Sequence, residues 1–138
     1  MSNRYAAYTD LKIDWPEPRI LRITFNRPER LNAVSIKGHT QITNIWRTID
    51  EDPDVSCVIL TGEGKGFCAG GDIAAWGGLE PLDMWRHWVR AGHRAFDRLA
   101  RLPQPTIAAI VGVALGGGAE LALCCDYRII SDNGGIGF

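Results

Sequence analysis

Two glycine-rich turns hold the residues best suited to chemistry in this chain. They are Gly66-Phe67-Cys68-Ala69-Gly70-Gly71-Asp72 and Gly112-Val113-Ala114-Leu115-Gly116-Gly117-Gly118-Ala119-Glu120. Each follows a short β-branched run and leads into a helical pattern. Backbone N–H groups at the start of a helix lack intrahelical partners, and glycine lets an anionic oxygen approach them closely. Each such donor aimed at developing charge supplies ~3 kcal/mol of transition-state stabilisation. Glu120 lies three residues past Gly117 in the otherwise apolar run Ala119-Glu-Leu-Ala-Leu-Cys-Cys125. A carboxylate there is costly to desolvate unless it is hydrogen-bonded or used, so the expectation is a buried acid that moves a proton. The plainer readings are turn glycines at positive φ and a first-turn acid favoured by the helix dipole. Spacing alone does not separate these readings from catalysis.

Other chemistry fits less well. Gly62-Glu63-Gly64-Lys65-Gly66 lacks the gap and the Ser or Thr of a phosphate loop, and also the spacing of a dinucleotide turn. His39, His87 and His93 fall on helical patterns without metal-ligand spacing, so they read as surface or packing residues, and no metal is expected. None of the four serines sits in a Gly-x-Ser-x-Gly elbow. Arg86, Arg90, Arg94 and Arg98 recur at i, i+4, a pattern that reads first as a solvated face and second as a phosphate or acidic-partner site.

The elements that must position these turns follow from periodicity. Strands are expected at Leu11 to Trp15 and Arg19 to Phe25, around a turn marked by Pro16 and Pro18. A loop from Asn26 to Ala33 precedes a helix capped by Ser35, with Ile42, Ile45, Trp46 and Ile49 on its apolar face. Val55 to Thr61 is an apolar run expected in a sheet covered on both faces. A long helix from Pro81 to Arg101 puts Trp85, Trp88, Val89, Phe96 and Leu99 on one side. A strand from Thr106 to Val111, a helix from Ala119 to Cys125 and a strand from Tyr127 to Ile130 complete an α/β layered order with right-handed crossovers. No internal repeat is visible, and residues 1–138 read as a single domain. The ending Gly134-Gly135-Ile136-Gly137-Phe138 reads as a cut inside a fold.

Composition sets outer limits. Hydrophobic residues make up 46% and charged residues 22%, and the net charge of −1 gives no drive toward nucleic acid or an anionic membrane. No apolar stretch is long enough to span a bilayer, and Met1-Ser2-Asn3-Arg4-Tyr5 lacks a signal core. Cys57, Cys68, Cys124 and Cys125 read as reduced, mostly buried thiols of a cytoplasmic protein.

Several ordered motifs resemble the enoyl-CoA hydratase/isomerase, or crotonase, superfamily: Phe25 through Ala33, Val58 through Gly62, Gly66 through Ile73, Pro105 through Ile110 and Gly112 through Asp126. The resemblance implies a crotonase-like (ClpP/crotonase) spiral of ββα units, truncated before its C-terminal helical region. It also implies a lyase of fatty acid metabolism acting on an acyl-CoA thioester, with coenzyme A present only as part of the substrate. By position, Gly71 and Gly117 would supply the two oxyanion-hole amides, and Glu120 would match the first of two catalytic glutamates, the second lying beyond Phe138. Ala33, Ala69, Asp72, Ile73 and Gly116 would border the CoA moiety, while Trp76, Met84 and Trp88 would border the acyl pocket. The reaction implied is hydration of a 2-enoyl-CoA. The rivals are Δ3,Δ2-isomerisation or another thioester lyase activity, and a non-catalytic acyl-CoA-binding homologue. A full-length relative would form a homo-oligomer, a trimer or dimer of trimers.

Overall fold

The computed structural model describes residues 4–5 and 8–138; residues 1–3, part of the stretch read for an export signal, lie outside them. The strands are β1 (Leu11–Glu17), β2 (Ile20–Phe25), β3 (Cys57–Gly62), β4 (Thr106–Ile110), β5 (Val113–Leu115), β6 (Tyr127–Ile130) and β7 (Gly135–Gly137). The helices are α1 (Ile36–Asp50), α2 (Ile73–Trp76), α3 (Pro81–Asp83), α4 (Arg90–Ala100) and α5 (Gly117–Cys124). β1 and β2 pair antiparallel, and β3, β4 and β6 add in parallel to give a five-stranded sheet in the order β1-β2-β3-β4-β6. Pro16 lies inside β1 rather than between strands, where the register slips between Asp14 and Glu17. An edge strand tolerates this because proline there forfeits no ladder bond.

A second, smaller layer runs beside the first. β5 pairs with β7, and isolated parallel bridges join Val34 to Gly71 and Cys68 to Ala114. Each coil of the chain therefore lays a strand in the large sheet, a short extended piece in the small one, and then a helix. The coils are β2, Val34 and α1; β3, the 68–71 segment and the helices from α2 to α4; β4, β5 and α5. This is a ββα repeat in backbone with no matching repeat in sequence.

Ser35 caps α1 by accepting from the Gly38 N–H at 3.0 Å. The α1 stripe Ile42, Ile45, Trp46 and Ile49 packs with Leu99 of α4 against Leu21, Ile23, Val58, Leu60 and Ile110 in one core. Among the described residues the sheet's other face is covered only in part. In β3 and β4 burial alternates, leaving Ile59, Ile107 and Ala109 half-buried on the other face, and β6 exposes Tyr127, Ile129 and Ile130. The apolar run at 55–61 thus overstated coverage.

The helical stretch from Pro81 to Ala100 is continuous but not uniform. Met84–Val89 is π-helical between α3 and α4. The wider i→i+5 turn rotates side chains away from the 3.6-residue period. Trp85, expected beside Trp88, is consequently 49% exposed. Arg86, Arg90, Arg94 and Arg98 are all exposed, and none pairs with a carboxylate among the described residues.

Candidate active site

The first glycine turn is held from below by the 26–33 segment. Asn32 is buried; its side chain accepts from the Arg27 N–H at 2.8 Å and donates to the carbonyls of Glu63 and Gly66 at 3.0 and 2.8 Å. The Asp72 carboxylate, also buried, accepts from Arg27 Nη2 at 2.9 Å, from Arg30 Nη2 at 3.1 Å and from the Ala74 N–H at 3.1 Å, which caps α2. The Arg27 hydrogen bond, with Arg30 behind it and burial opposing, holds the Asp72 carboxyl below the ordinary aspartate range.

These clamps fix the direction of the Gly71 amide. Val34 N–H donates to the Gly70 carbonyl at 2.8 Å, and Asp72 N–H donates to the Val34 carbonyl at 2.9 Å. A parallel bridge drawn from the residues on either side of Gly71 leaves its own N–H facing away from Val34.

In the second turn each glycine has a different reason. Gly112 and Gly116 have φ of 65° and 52°, conformations that a side chain strains. A Cβ on Gly118 would overlap the Cys68 carbonyl oxygen and lie 2.8 Å from its carbon. Gly117 is under neither constraint: a Cβ there would meet Gly70 Cα, Gly71 N and Phe96 Cζ, all at 3.9 Å. Gly117 opens α5, so its N–H has no partner within the helix. Neither its amide nor that of Gly71 donates in the turns, loops and caps of the described residues. Two free amides therefore stand beside each other on neighbouring coils.

They open onto a cavity of about 330 Å³ whose wall includes Gly71, Gly117, Glu120, Trp76, Trp88 and His39. Trp88 and Trp76 close over Gly71; a Cβ there would lie 2.5 Å from Trp88 Cζ2 and 2.8 Å from Trp76 Nε1. The Trp88 ring lies 5.6 Å from that of Trp76 and stacks on His39 at 4.2 Å. His39 is 6% exposed, and burial pulls its pKa down to about 4, so the ring is neutral at pH 7.

Glu120 reaches this cavity but is exposed, not buried as the apolar segment suggested. The α5 helix buries Gly118, Ala119, Leu121 and Ala122 and turns Glu120 and Leu123 outward. Ala33, Ala69, Asp72, Ile73 and Gly116 do not line the cavity. The amides of Ala33, Ala69 and Gly116 donate to the carbonyls of Arg30, Leu31 and Gly137. Asp72 turns to its arginines, and Ile73 is 69% exposed at the start of α2. Trp76 and Trp88 line the cavity, and Met84 does not.

The cavity wall also includes residues not singled out as site residues from the sequence, among them His39, His93 and Phe96. For His39 a signal existed, because it continues the buried stripe Ile42, Trp46 and Ile49 one turn toward the N-terminus of α1. His87 instead faces Asp83 at 3.8 Å on the exposed side of the π-helical stretch. Among the described residues no His, Cys, Asp and Glu cluster is placed to hold a metal ion. The four cysteines are free, with Cys68 and Cys125 buried. No helix of the described residues is long and apolar enough to cross a membrane.

Residues 17–138 match the family described as Enoyl-CoA hydratase/isomerase. A mevalonyl-coenzyme A hydratase of Aspergillus fumigatus is 35% identical over 125 residues, covering 91% of this chain and 46% of the relative. A crotonyl-CoA hydratase of Syntrophomonas wolfei is 36% identical over 132 residues, covering 95% and 50%. A crystal structure of an enoyl-CoA hydratase from Bacillus anthracis superposes with a TM-score of 0.88 at 36% identity, over 93% of this chain and 50% of that one. The chain spans about half the length of the relatives it matches.

Proposed function

From the premise that this chain belongs to the enoyl-CoA hydratase/isomerase family and shares the crotonase-like spiral, we propose that its cavity binds a 2-enoyl-CoA thioester and adds water across the double bond. The observation that carries this reading is the pair of unengaged amides, Gly71 and Gly117, on one cavity wall with Glu120. A thioester oxygen accepting from both amides gains negative charge as the enolate forms, and donors already fixed in place stabilise that charge without reorganising. Glu120 orients water and takes its proton as the water oxygen bonds to the β-carbon. The α-carbon then takes a proton from Glu120 or from a second carboxyl outside residues 1–138, giving the 3-hydroxyacyl-CoA.

Coenzyme A enters only as part of the substrate. The proposed task of Ala33, Ala69, Asp72, Ile73 and Gly116, which lie outside the cavity wall, is to border the nucleotide and pantetheine arm. Asp72 does so indirectly, because its carboxylate is taken by Arg27 and Arg30. The protein carrying this chain is proposed to act in the cytoplasm, in keeping with its free cysteines, and to assemble as a homo-oligomer.

The test is loss of the enoyl-thioester ultraviolet absorbance with crotonyl-CoA. Glu120→Gln is expected to lower kcat at least ~100-fold while leaving thioester affinity within a few-fold. An unchanged kcat removes Glu120 from the proton transfer. Thioester binding with no turnover in the parent protein favours a non-catalytic acyl-CoA-binding role.

A further inference from the structure

One face of the helical stretch from Pro81 to Ala100 takes no part in the cavity. Leu82, Arg86, Arg90, Arg94 and Arg98 follow one another at intervals of four residues, and all five are exposed. Among the described residues none of these arginine side chains pairs with a carboxylate. The aspartates of the same stretch are engaged elsewhere: Asp83 faces His87 at 3.8 Å, and Asp97 holds Arg101 at 2.8 Å. Residues 82–101 thus carry five arginines against two aspartates, in a chain whose net charge is −1. The pull on anions that the whole chain lacks is concentrated here.

The π-helical turn keeps this row straight. In an α-helix each four-residue step overshoots a full turn by ~40°, so an i, i+4 series winds around the axis. A π turn is wider, the same step falls short of a full turn, and the two drifts oppose each other. Met84–Val89 supplies that turn, with the Arg90 N–H donating to the Trp85 carbonyl five residues back. From Leu82 to Arg98 the row runs on the order of 24 Å. The same turn takes Trp85 off the cavity wall, where Trp88 and Val89 remain, and leaves it 49% exposed beside Arg86. Leu82, at the start of the row, is 55% exposed.

These features select the partner. Like charges at i, i+4 repel, so the row is a standing cost that an anionic surface relieves. A straight helix face meets a plane along its whole length, and guanidinium groups pair with phosphate oxygens through two N–H donors at once. An indole beside such a row suits the headgroup level of a bilayer, where its ring is shielded and its N–H stays paired. The centre of a protein interface is depleted of charge, whereas arginine fills four of the five positions here. Nucleic acid would have to approach a molecule whose other residues are net negative, and its backbone offers Leu82 no apolar contact.

We propose that this face docks the protein peripherally on an anionic lipid bilayer. Arg86, Arg90, Arg94 and Arg98 engage headgroup phosphates, while Trp85 and Leu82 enter the boundary between headgroups and acyl chains. The contact lies in the membrane plane and is independent of which thioester the cavity takes.

The experiment is co-sedimentation of the protein with phosphatidylcholine vesicles, with or without phosphatidylserine as about a third of the lipid. The protein is expected to sediment with the mixed vesicles and not with phosphatidylcholine alone. Raising salt from ~0.1 M to ~1 M shortens the screening length from ~10 Å to ~3 Å and should release most of it. The double variant Arg90→Gln, Arg94→Gln should bind the mixed vesicles about 30-fold more weakly, the share of two charges near such a surface. Its melting temperature should hold or rise, because the repulsion along the row is relieved, so lost binding is not lost fold. Lipids brominated on their acyl chains should quench the parent's tryptophan fluorescence, and Trp85→Ala should remove that quenching. No binding to the mixed vesicles, or binding that the double variant retains in full, overturns the inference. Binding of poly-glutamate or duplex DNA at concentrations that leave the mixed vesicles bare overturns it as well.

Discussion

Gly117 and Gly118 adjoin in sequence, yet the same substitution is expected to act on different properties at each. A methyl at position 118 overlaps the Cys68 carbonyl oxygen and sits 2.8 Å from the carbonyl carbon. The start of α5 and the first glycine turn must then part by on the order of 1 Å, an overpacking that costs ~1–3 kcal/mol. For a chain of 138 residues each kcal/mol moves Tm by roughly 4 °C, so Gly118→Ala should melt ~4–12 °C below the parent. A methyl at position 117 meets its neighbours at 3.9 Å and needs no movement. In the first turn of a helix Gly→Ala reduces unfolded-chain entropy, so Gly117→Ala should hold its Tm or raise it by up to ~1 kcal/mol in stability. That methyl nonetheless stands 3.9 Å from the Gly71 nitrogen, beside the path by which an oxygen reaches both amides. Displacing the thioester there should reduce crotonyl-CoA turnover by about 10–100-fold. Thermal unfolding followed by circular dichroism, paired with the absorbance assay, reads both effects. If Gly117→Ala melts as low as Gly118→Ala, the glycine serves the fold and the argument from free space is wrong. If it is stable and fully active, the paired amides are not the groups that hold the thioester.

Two further predictions concern the clamps and the cavity floor. Asp72→Asn leaves Arg27 without its carboxylate and should cost about 2–3 kcal/mol in urea unfolding, less than a fully buried pair because Arg30 is half exposed. Because the folded Asp72 carboxyl ionises below the ordinary value of about 3.9, its contribution is present above that pH and disappears as pH falls through the lower folded value. The variant should lack this acid loss, and parallel acid profiles for parent and variant would contradict the ion pair. His39 acts in a higher window. Its folded pKa of about 4 lies below the unfolded ~6.5, so the unfolded chain binds more protons between them and stability falls on acidification, by up to ~3 kcal/mol. His39→Phe should flatten that slope, and a slope equal to the parent's would mean the ring is not buried as a neutral base.

Much of the site was legible because its causes are local. The capping of α1 by Ser35, the stripe Ile42, Ile45, Trp46 and Ile49, and the glycine turns leading into helices all follow from rules spanning a few residues. What stayed hidden depends on contacts between distant segments. Asn26 to Ala33 reads as loop, yet Asn32 is a buried hub tying that loop to Glu63 and Gly66. The π-helical stretch that turns Trp85 outward has no sequence rule as simple as a period. Glu120 was expected to be buried because its neighbours are apolar, but a two-turn helix has an outer side, and only packing decides which residue takes it. The small sheet is carried by β5, β7 and single-residue bridges, too short to show a strand pattern. His39 shared the stripe of α1, and its place beside Trp88 needed the coil that returns more than forty residues later.

The short second layer accounts for how two glycines so far apart in sequence come to act together. Cys68 and Ala114 form a parallel bridge, which sets the register between two successive coils. Three residues beyond each lie Gly71 and Gly117. Chains that run parallel from a common register point stay abreast over equal steps, so the two amides meet because the spacing is equal in both turns. Gly117 is the first residue of α5, so its amide has no helix partner, while the bridge to Val34 is made by the residues on either side of Gly71 and leaves the Gly71 amide free. Leu115 N–H donates back to the Cys68 carbonyl at 2.9 Å and locks that register, while the missing Cβ of Gly118 lets the two coils approach closely enough for the lock to form. The donor pair is therefore a consequence of how the spiral stacks its coils, and Glu120, one turn into the second helix, is the side chain that the same geometry delivers to it.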